Sequence, residues 1–264
     1  FKDWWVNHKK RPPLQDDEVV IGLKAFQGHP EAPRAWDRHS DKFLKEIGFV
    51  PTTHEPCLYS GIFDGERVLF LRQVDDFAIA ASNEQVANDI LDKIDEFLTF
   101  PIKRLGLLKL FNGVDIDQTS EHIKISVVSY LTKIMEKYLD AETGFMSEPD
   151  QYPLAQQATP LPTRKRFIES FLSADGDRNK DGTPDMSYQR KMQKQLKISY
   201  RSAIGEIIWA MTTCRPDVSH AVVKAAQFSS CPHEIHYHGV RHILKYLNKT
   251  KDEGITFWRA TRRD

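Results

Sequence analysis

The sequence predicts an α+β fold, and three observations carry that expectation. Two apolar, β-rich runs, Val68 to Leu71 and Phe77 to Ala80, flank a short polar stretch at Asp75-Asp76 and read as an antiparallel hairpin. Apolar residues recur at helical spacing before it, at Trp36, Phe43, Leu44 and Ile47, and after it, at Val86, Ile90, Leu91, Ile94, Phe97 and Leu98. The last third is helical in period, with Tyr200, Ile204, Ile207, Ile208 and Met211 on one segment and Val240, Ile243, Leu244 and Leu247 on another.

Taken in order, residues 1–18 are charged and interrupted by Pro12-Pro13, so they read as an exposed arm, and the packed region starts near Val19. The first helix follows the turn-rich stretch from Gly28 to Pro33 and ends at Gly48-Phe49, a C-cap glycine with an apolar residue after it. Ser82 sits three residues before Gln85, a capping box for the second helix, and Pro101 lies beyond its end. Leu107 to Ile116 and Ile123 to Val128 read as a strand pair. Tyr130 to Leu139 reads as a helix with Leu131, Ile134, Met135 and Tyr138 inward. Residues 140–197 change character, with prolines at 149, 153, 160, 162 and 184 and long polar runs, and read as a linker or surface insertion.

At 264 residues and 40% hydrophobic content the chain can bury one sizeable core or two smaller ones. Lys+Arg and Asp+Glu balance at 37 each, so affinity for a polyanion has to come from local clustering. Three scattered cysteines, Cys57, Cys214 and Cys231, form no disulfide framework and read as buried thiols of a reducing compartment. No apolar run suits a signal peptide or a bilayer span, which points to an intracellular protein, cytoplasmic or nuclear, with no membrane partner. The chain opens on Phe1 and reads as a segment of a longer open reading frame.

The chemistry centres on Asp75-Asp76. Adjacent carboxylates repel unless a cation or proton lies between them, and magnesium, which favours one or two carboxylates plus substrate phosphates, suits such a pair. By itself the dipeptide reads more readily as ordinary turn aspartates. The apolar flanking strands give it context, because they bury the hairpin in a sheet and present the acids at one end. Upstream, Gly28 falls where backbone could approach a ligand closely, before a helix that would stiffen it.

Order and spacing then carry a resemblance. Leu23-Lys24-Ala25-Phe26-Gln27-Gly28, Ala32-Pro33-Arg34-Ala35-Trp36, Gly48-Phe49, Cys57-Leu58-Tyr59 and Val74-Asp75-Asp76 together resemble the reverse transcriptase of copia-type LTR retrotransposons. Leu105-Gly106 and Phe111-Asn112-Gly113-Val114-Asp115-Ile116 are similar to that family's primer-grip segment. Tyr200 to Gly205, Arg215-Pro216-Asp217, His236-Tyr237 and Leu244-Lys245-Tyr246-Leu247 resemble its connection region before ribonuclease H.

The resemblance implies a right-hand polymerase palm over 19–118, N-terminally truncated. It further implies a thumb-like segment over 119–145 and a helical connection over 198–258, while the polar linker or insertion over 146–197 and the tail over 259–264 are read from composition and lie outside it. It also implies RNA-directed DNA synthesis with two magnesium ions, or manganese in their place. Asp75 and Asp76 would be the metal-binding catalytic pair, Asp75 ligating directly. Gln27, Gly28 and Gln73 would line the nucleotide, and Phe111, Asn112 and Gly113 would grip the primer. The implied partners are an RNA template, a DNA primer, deoxynucleotides and the rest of a Pol polyprotein.

Three departures qualify what is implied. Gln73 stands where the family has a tyrosine. The family's first catalytic aspartate lies upstream of Phe1, so the chain alone is expected not to polymerise. The ribonuclease H acids would lie beyond Trp258, so nuclease activity is not expected. The rival reading is a non-catalytic nucleic-acid-binding or interaction protein derived from the element.

Two other clusters need weighing. Asp177 to Gly182 opens like an EF-hand calcium loop, but Tyr188 stands where the bidentate glutamate belongs, so a solvated acidic loop is expected. Cys231, His233, His236, His238 and His242 are crowded enough for zinc but lack the paired spacing of a zinc site.

Overall fold

The computed structural model describes residues 6–8, 10, 12, 13, 15, 28–98, 101–138 and 159–259. Most of the arm expected over 1–18, and the start of the packed region up to Gln27, lie outside the described residues. The chain divides into two compact units, one through Leu105 and one from Gly106.

In the first unit, helix α1 (Ala32–Ile47) has proline in its first turn, where the ring's fixed φ suits a helix start. It ends as its sequence predicts: Gly48 at φ 116° donates to the Lys45 carbonyl and Phe49 to that of Leu44, satisfying carbonyls the helix leaves open. Strands β1 (Val50–Pro51), β2 (Leu58–Phe63), β3 (Glu66–Gln73) and β4 (Asp76–Ala80) form an antiparallel meander in that order. Strand β2 is the element the hydrophobic pattern did not single out. Its signal was the turn after it, where Asp64 and Gly65 both have positive φ, as a tight hairpin of right-twisted strands requires.

Helix α2 (Glu84–Phe97) closes the unit. Its cap is Asn83, whose side chain accepts from the Val86 N–H at 3.0 Å, and not the Ser82 of the expected capping box. One face of the sheet packs on α1 and α2 through Phe43, Leu44, Tyr59, Val68, Phe70, Val86, Ile90 and Ile94.

The second unit pairs a four-stranded antiparallel sheet with six α-helices among the described residues. The run expected as one strand from Leu107 to Ile116 is split. Asn112 (φ 49°) and Gly113 (φ 80°) turn the chain between β5 (Leu110–Phe111) and β6 (Val114–Gln118), the backbone that Asn-Gly favours in two-residue hairpins. Strand β7 (His122–Ser126) stops short of Val128, and β8 (Gly254–Trp258) pairs along it from the far end of the sequence. A side chain at Gly254 would meet the Ile125 carbonyl oxygen at 2.2 Å, so only glycine lets that edge close.

Helix α3 (Val128–Tyr138) buries Leu131, Ile134, Met135 and Tyr138, the four residues expected to face inward. From Thr159 onward the expected linker is instead packed structure. Helix α4 (Lys165–Ser173) buries Phe167 and Phe171, and α5 (Met186–Leu196) buries Met192 and Leu196, all in the same core as α6 (Tyr200–Thr213), α7 (Ser219–Ala226) and α8 (Glu234–Lys249). Polar runs hid two short amphipathic helices whose apolar anchors are only two or three residues each. Residues 139–158 lie outside the described residues.

Replacing Asn83 with Ala should lower the stability of the first unit by about 1 kcal/mol in urea unfolding, while Ser82→Ala leaves it within a few tenths. The reverse ranking would place the cap at Ser82.

Candidate functional site

The alternation of β3 turns Val68, Phe70 and Arg72 toward the core. An arginine in that row brings a charge into a packed face, where it needs a partner. Arg72 is 5% exposed and forms an ion pair with Asp37 on α1. Burial works against the charged guanidinium, but the Asp37 hydrogen bond and the neighbouring Tyr59 and Asp37 raise its pKa above the ordinary value. Its backbone N–H donates to the Cys57 carbonyl at 2.9 Å, and a guanidinium nitrogen stands 3.8 Å from the Cys57 sulfur. One helical turn along, Tyr59 donates to Asp41 at 3.1 Å, and burial first, then Asp41, raises the phenol's pKa.

Beyond Arg72 the strand ends at Gln73, which pairs across the hairpin with Asp76. The loop between them is two residues, Val74 and Asp75. Val74 has φ 56°, a region that costs an L residue roughly 1–2 kcal/mol and is rarer still for a β-branched side chain. Its carbonyl accepts the indole N–H of Trp36 at 2.6 Å. Gln73, Val74, Asp75 and Asp76 are all exposed. Among the described residues neither acidic side chain has a hydrogen bond or an ion pair. They offer hard oxygen donors at one sheet end, which fits a divalent cation that completes its shell with water or phosphate. Among the described residues no group of three His, Cys, Asp or Glu could hold a metal.

The other expected site residues fall in different places. Gln27 lies outside the described residues. Gly28 has φ 93° and open space where a side chain would project. Phe111, Asn112 and Gly113 make the β5–β6 hairpin of the second unit, with Phe111 half-buried, Asn112 and Gly113 exposed, and the Trp209 ring beneath Gly113. Sequence reasoning missed Asp37 and Arg72. The signal was an arginine on the inward parity of a strand.

Residues 12–147, just over half of the chain, match the reverse transcriptase (RNA-dependent DNA polymerase) family. The chain belongs to that family. The resemblance to a retrotransposon reverse transcriptase is thereby borne out. It is 26% identical over 237 residues to the retrovirus-related Pol polyprotein from transposon TNT 1-94 of Nicotiana tabacum, covering 89% of this chain and 16% of that protein. It is 29% identical over 227 residues to the putative transposon Ty5-1 protein of Saccharomyces cerevisiae, covering 85% of this chain and 63% of that one. Against the Pol polyprotein from transposon RE1 of Arabidopsis thaliana it is 27% identical over 232 residues, covering 88% and 14%. The chain thus spans less than two thirds of each of these relatives. No solved structure matches it.

In this reverse transcriptase chain the remaining motifs have structural work. Arg215, 1% exposed, forms a two-pronged ion pair with Asp217 and donates to the carbonyl and hydroxyl of Thr250, while Tyr246 donates to Asp217 at 3.0 Å. The Arg-Pro-Asp motif therefore ties the start of α7 to the end of α8. The loop that opens like a calcium site is closed on itself: Arg178 grips Asp175, Asp181 accepts from Thr183, and Asp185 caps α5. Cys214 and Cys231 are buried thiols, whereas Cys57 is half-buried. Among the described residues no helix is long and apolar enough to cross a membrane.

His236 uses both ring nitrogens on backbone. Nδ1 accepts from the His233 N–H at 2.9 Å, so Nε2 carries the proton and donates to the Phe171 carbonyl at 2.9 Å. Burial, against the Phe171 bond, pulls its pKa down to about 4 from 6.5. Between those values only the unfolded chain takes up the proton, so stability should fall as pH drops from 6.5 to 4 and lose nothing further from this group below 4. The total is roughly 3 kcal/mol. Urea unfolding at stepped pH should show His236→Asn to be weaker at pH 7 but flatter in that window; an unchanged slope would mean His236 is not buried neutral.

Proposed function

We propose that the chain carries the acidic hairpin of an RNA-directed DNA polymerase acting in nucleotidyl transfer as part of a retrotransposon Pol polyprotein. The observation that carries this reading is that the family match spans the β3–β4 hairpin, whose exposed end carries Asp75 in the loop and Asp76 as the first residue of β4. The names of the relatives, Pol polyproteins of transposons, support the polyprotein context.

Asp75 and Asp76 would hold divalent ions, Mg2+ or Mn2+. When bound, such ions neutralise phosphate charge and favour ionisation of a primer 3'-hydroxyl. Asp75, in the loop itself, is the direct ligand and Asp76 the second. Gly28 lets backbone approach the nucleotide, with Gln27 beside it, and Gln73 faces the substrate from the strand end opposite Asp76. The Asn112-Gly113 turn after Phe111 offers an exposed, left-handed backbone for the primer strand. The substrates are an RNA template, a DNA primer and deoxynucleotides.

Two carboxylates complete only part of a two-metal site. The 264-residue chain alone is therefore expected to retard an RNA–DNA hybrid in gel electrophoresis without extending its primer. Extension abolished by Asp75→Asn would contradict this. That the described residues gather only two acids at the tip is also what favours the second reading, a non-catalytic nucleic-acid-binding protein.

The site itself is tested with Fe2+ and peroxide, which cleave backbone beside a bound cation. Cuts are expected within residues 73–77, competed by Mg2+ and lost in Asp75→Asn. Cuts elsewhere, or unaffected by that substitution, would remove the cation site on which the polymerase reading rests.

A further inference from the structure

An exposed two-residue loop between antiparallel strands has few constraints of its own, and the acidic pair at its tip adds like-charge repulsion that drives the two carboxylates apart. Helix α1 reaches this loop and the strand before it through two successive residues. Asp37 holds the buried Arg72 of β3, and Trp36 donates its indole N–H to the Val74 carbonyl. That carbonyl belongs to the peptide plane that carries the Asp75 N–H and Cα, so holding it fixes the frame from which the Asp75 side chain leaves the backbone. Val74 meanwhile keeps a left-handed φ that glycine would adopt without strain. Strain of this kind persists only where its surroundings over-determine it. The indole bond is solvent-exposed, a setting in which a hydrogen bond adds little to stability, so its consequence is the orientation of the loop rather than the persistence of the fold.

We propose that Trp36 is a positioning residue for the acidic pair, acting through the Val74 carbonyl, with the Asp37–Arg72 pair fixing the strand end beneath it. The proposal rests on the reading of Asp75 and Asp76 as divalent-cation ligands. Trp36 touches neither cation nor substrate. It limits the orientations open to the loop that carries Asp75, and Val74 resists the alternatives that a glycine loop would sample.

The test uses the 264-residue chain and Mn2+ alone, with free ion read by electron paramagnetic resonance and stability by urea unfolding. Asp75→Asn is expected to remove the hairpin's Mn2+ binding. Trp36→Phe, which keeps a ring and loses the N–H, should weaken Mn2+ binding about fivefold with the urea midpoint unchanged. Val74→Gly should also weaken binding while leaving stability equal or higher. If Asp75→Asn removes binding and Trp36→Phe binds as wild type does, the positioning role is overturned and the cation reading stands. If Asp75→Asn leaves binding intact, both fall.

Should Trp36→Phe lower the urea midpoint, the wild-type chain decides by reciprocity. Mg2+, the diamagnetic counterpart, must then slow hydrogen exchange of the Trp36 indole proton, and unchanged exchange overturns the proposal.

Discussion

A guanidinium on the buried face of a four-stranded sheet is the constraint around which the first unit is arranged. Arg72 occupies the inward parity of β3 between packed aromatic and aliphatic rows, and a charge there is tolerable only with a carboxylate against it. Asp37 meets that need from α1. Once it does, the first half of α1 is pinned to the end of β3, and the neighbouring Trp36 falls within reach of the loop that follows. The polar links Trp36–Val74, Asp37–Arg72 and Asp41–Tyr59 run along one side of the helix, and Phe43 and Leu44 continue the contact as apolar packing. The position of the acidic loop is thus a consequence of how a buried charge was accommodated.

The same logic recurs in the second unit. Arg215 is buried where α7 begins, and Asp217, Thr250 and Tyr246 close around it. His236 is kept neutral by its burial, and both of its ring nitrogens are used on backbone. Motifs that the resemblance assigns to a connection region are, in physical terms, the fasteners of a helical core. Arg215 and His236 are polar groups inside an apolar cluster whose hydrogen bonds the chain itself supplies, the condition under which such groups are buried at low cost.

Much of this was legible in the sequence where one periodicity ran long enough. Helices α1, α2 and α3 were visible because their apolar stripes recur over three or four turns, and the β3–β4 hairpin because two apolar runs bracket a polar turn. Where the signal is short it failed. Strand β2 mixes Ser60 and Gly61 into its run, α4 and α5 rest on two or three anchors in a polar stretch, and β8 finds its partner at the far end of the chain, which no local pattern records. Within the candidate site the acidic pair was legible as chemistry. Its fastening was not, because Asp37 and Arg72 are 35 residues apart and only the fold brings them together. The capping residue shifted by one, from Ser82 to Asn83, since two good cap formers are adjacent and the helix start selects between them.

Paramagnetic broadening tests the proposed divalent-cation site and the helix beside it at once. With substoichiometric Mn2+ added to the nitrogen-15-labelled chain, selective loss of the amide signals of residues 73–77 together with the Trp36 indole signal is expected. Asp75→Asn should restore them. Broadening centred elsewhere, or spread evenly over acidic surface residues, would contradict the proposed site.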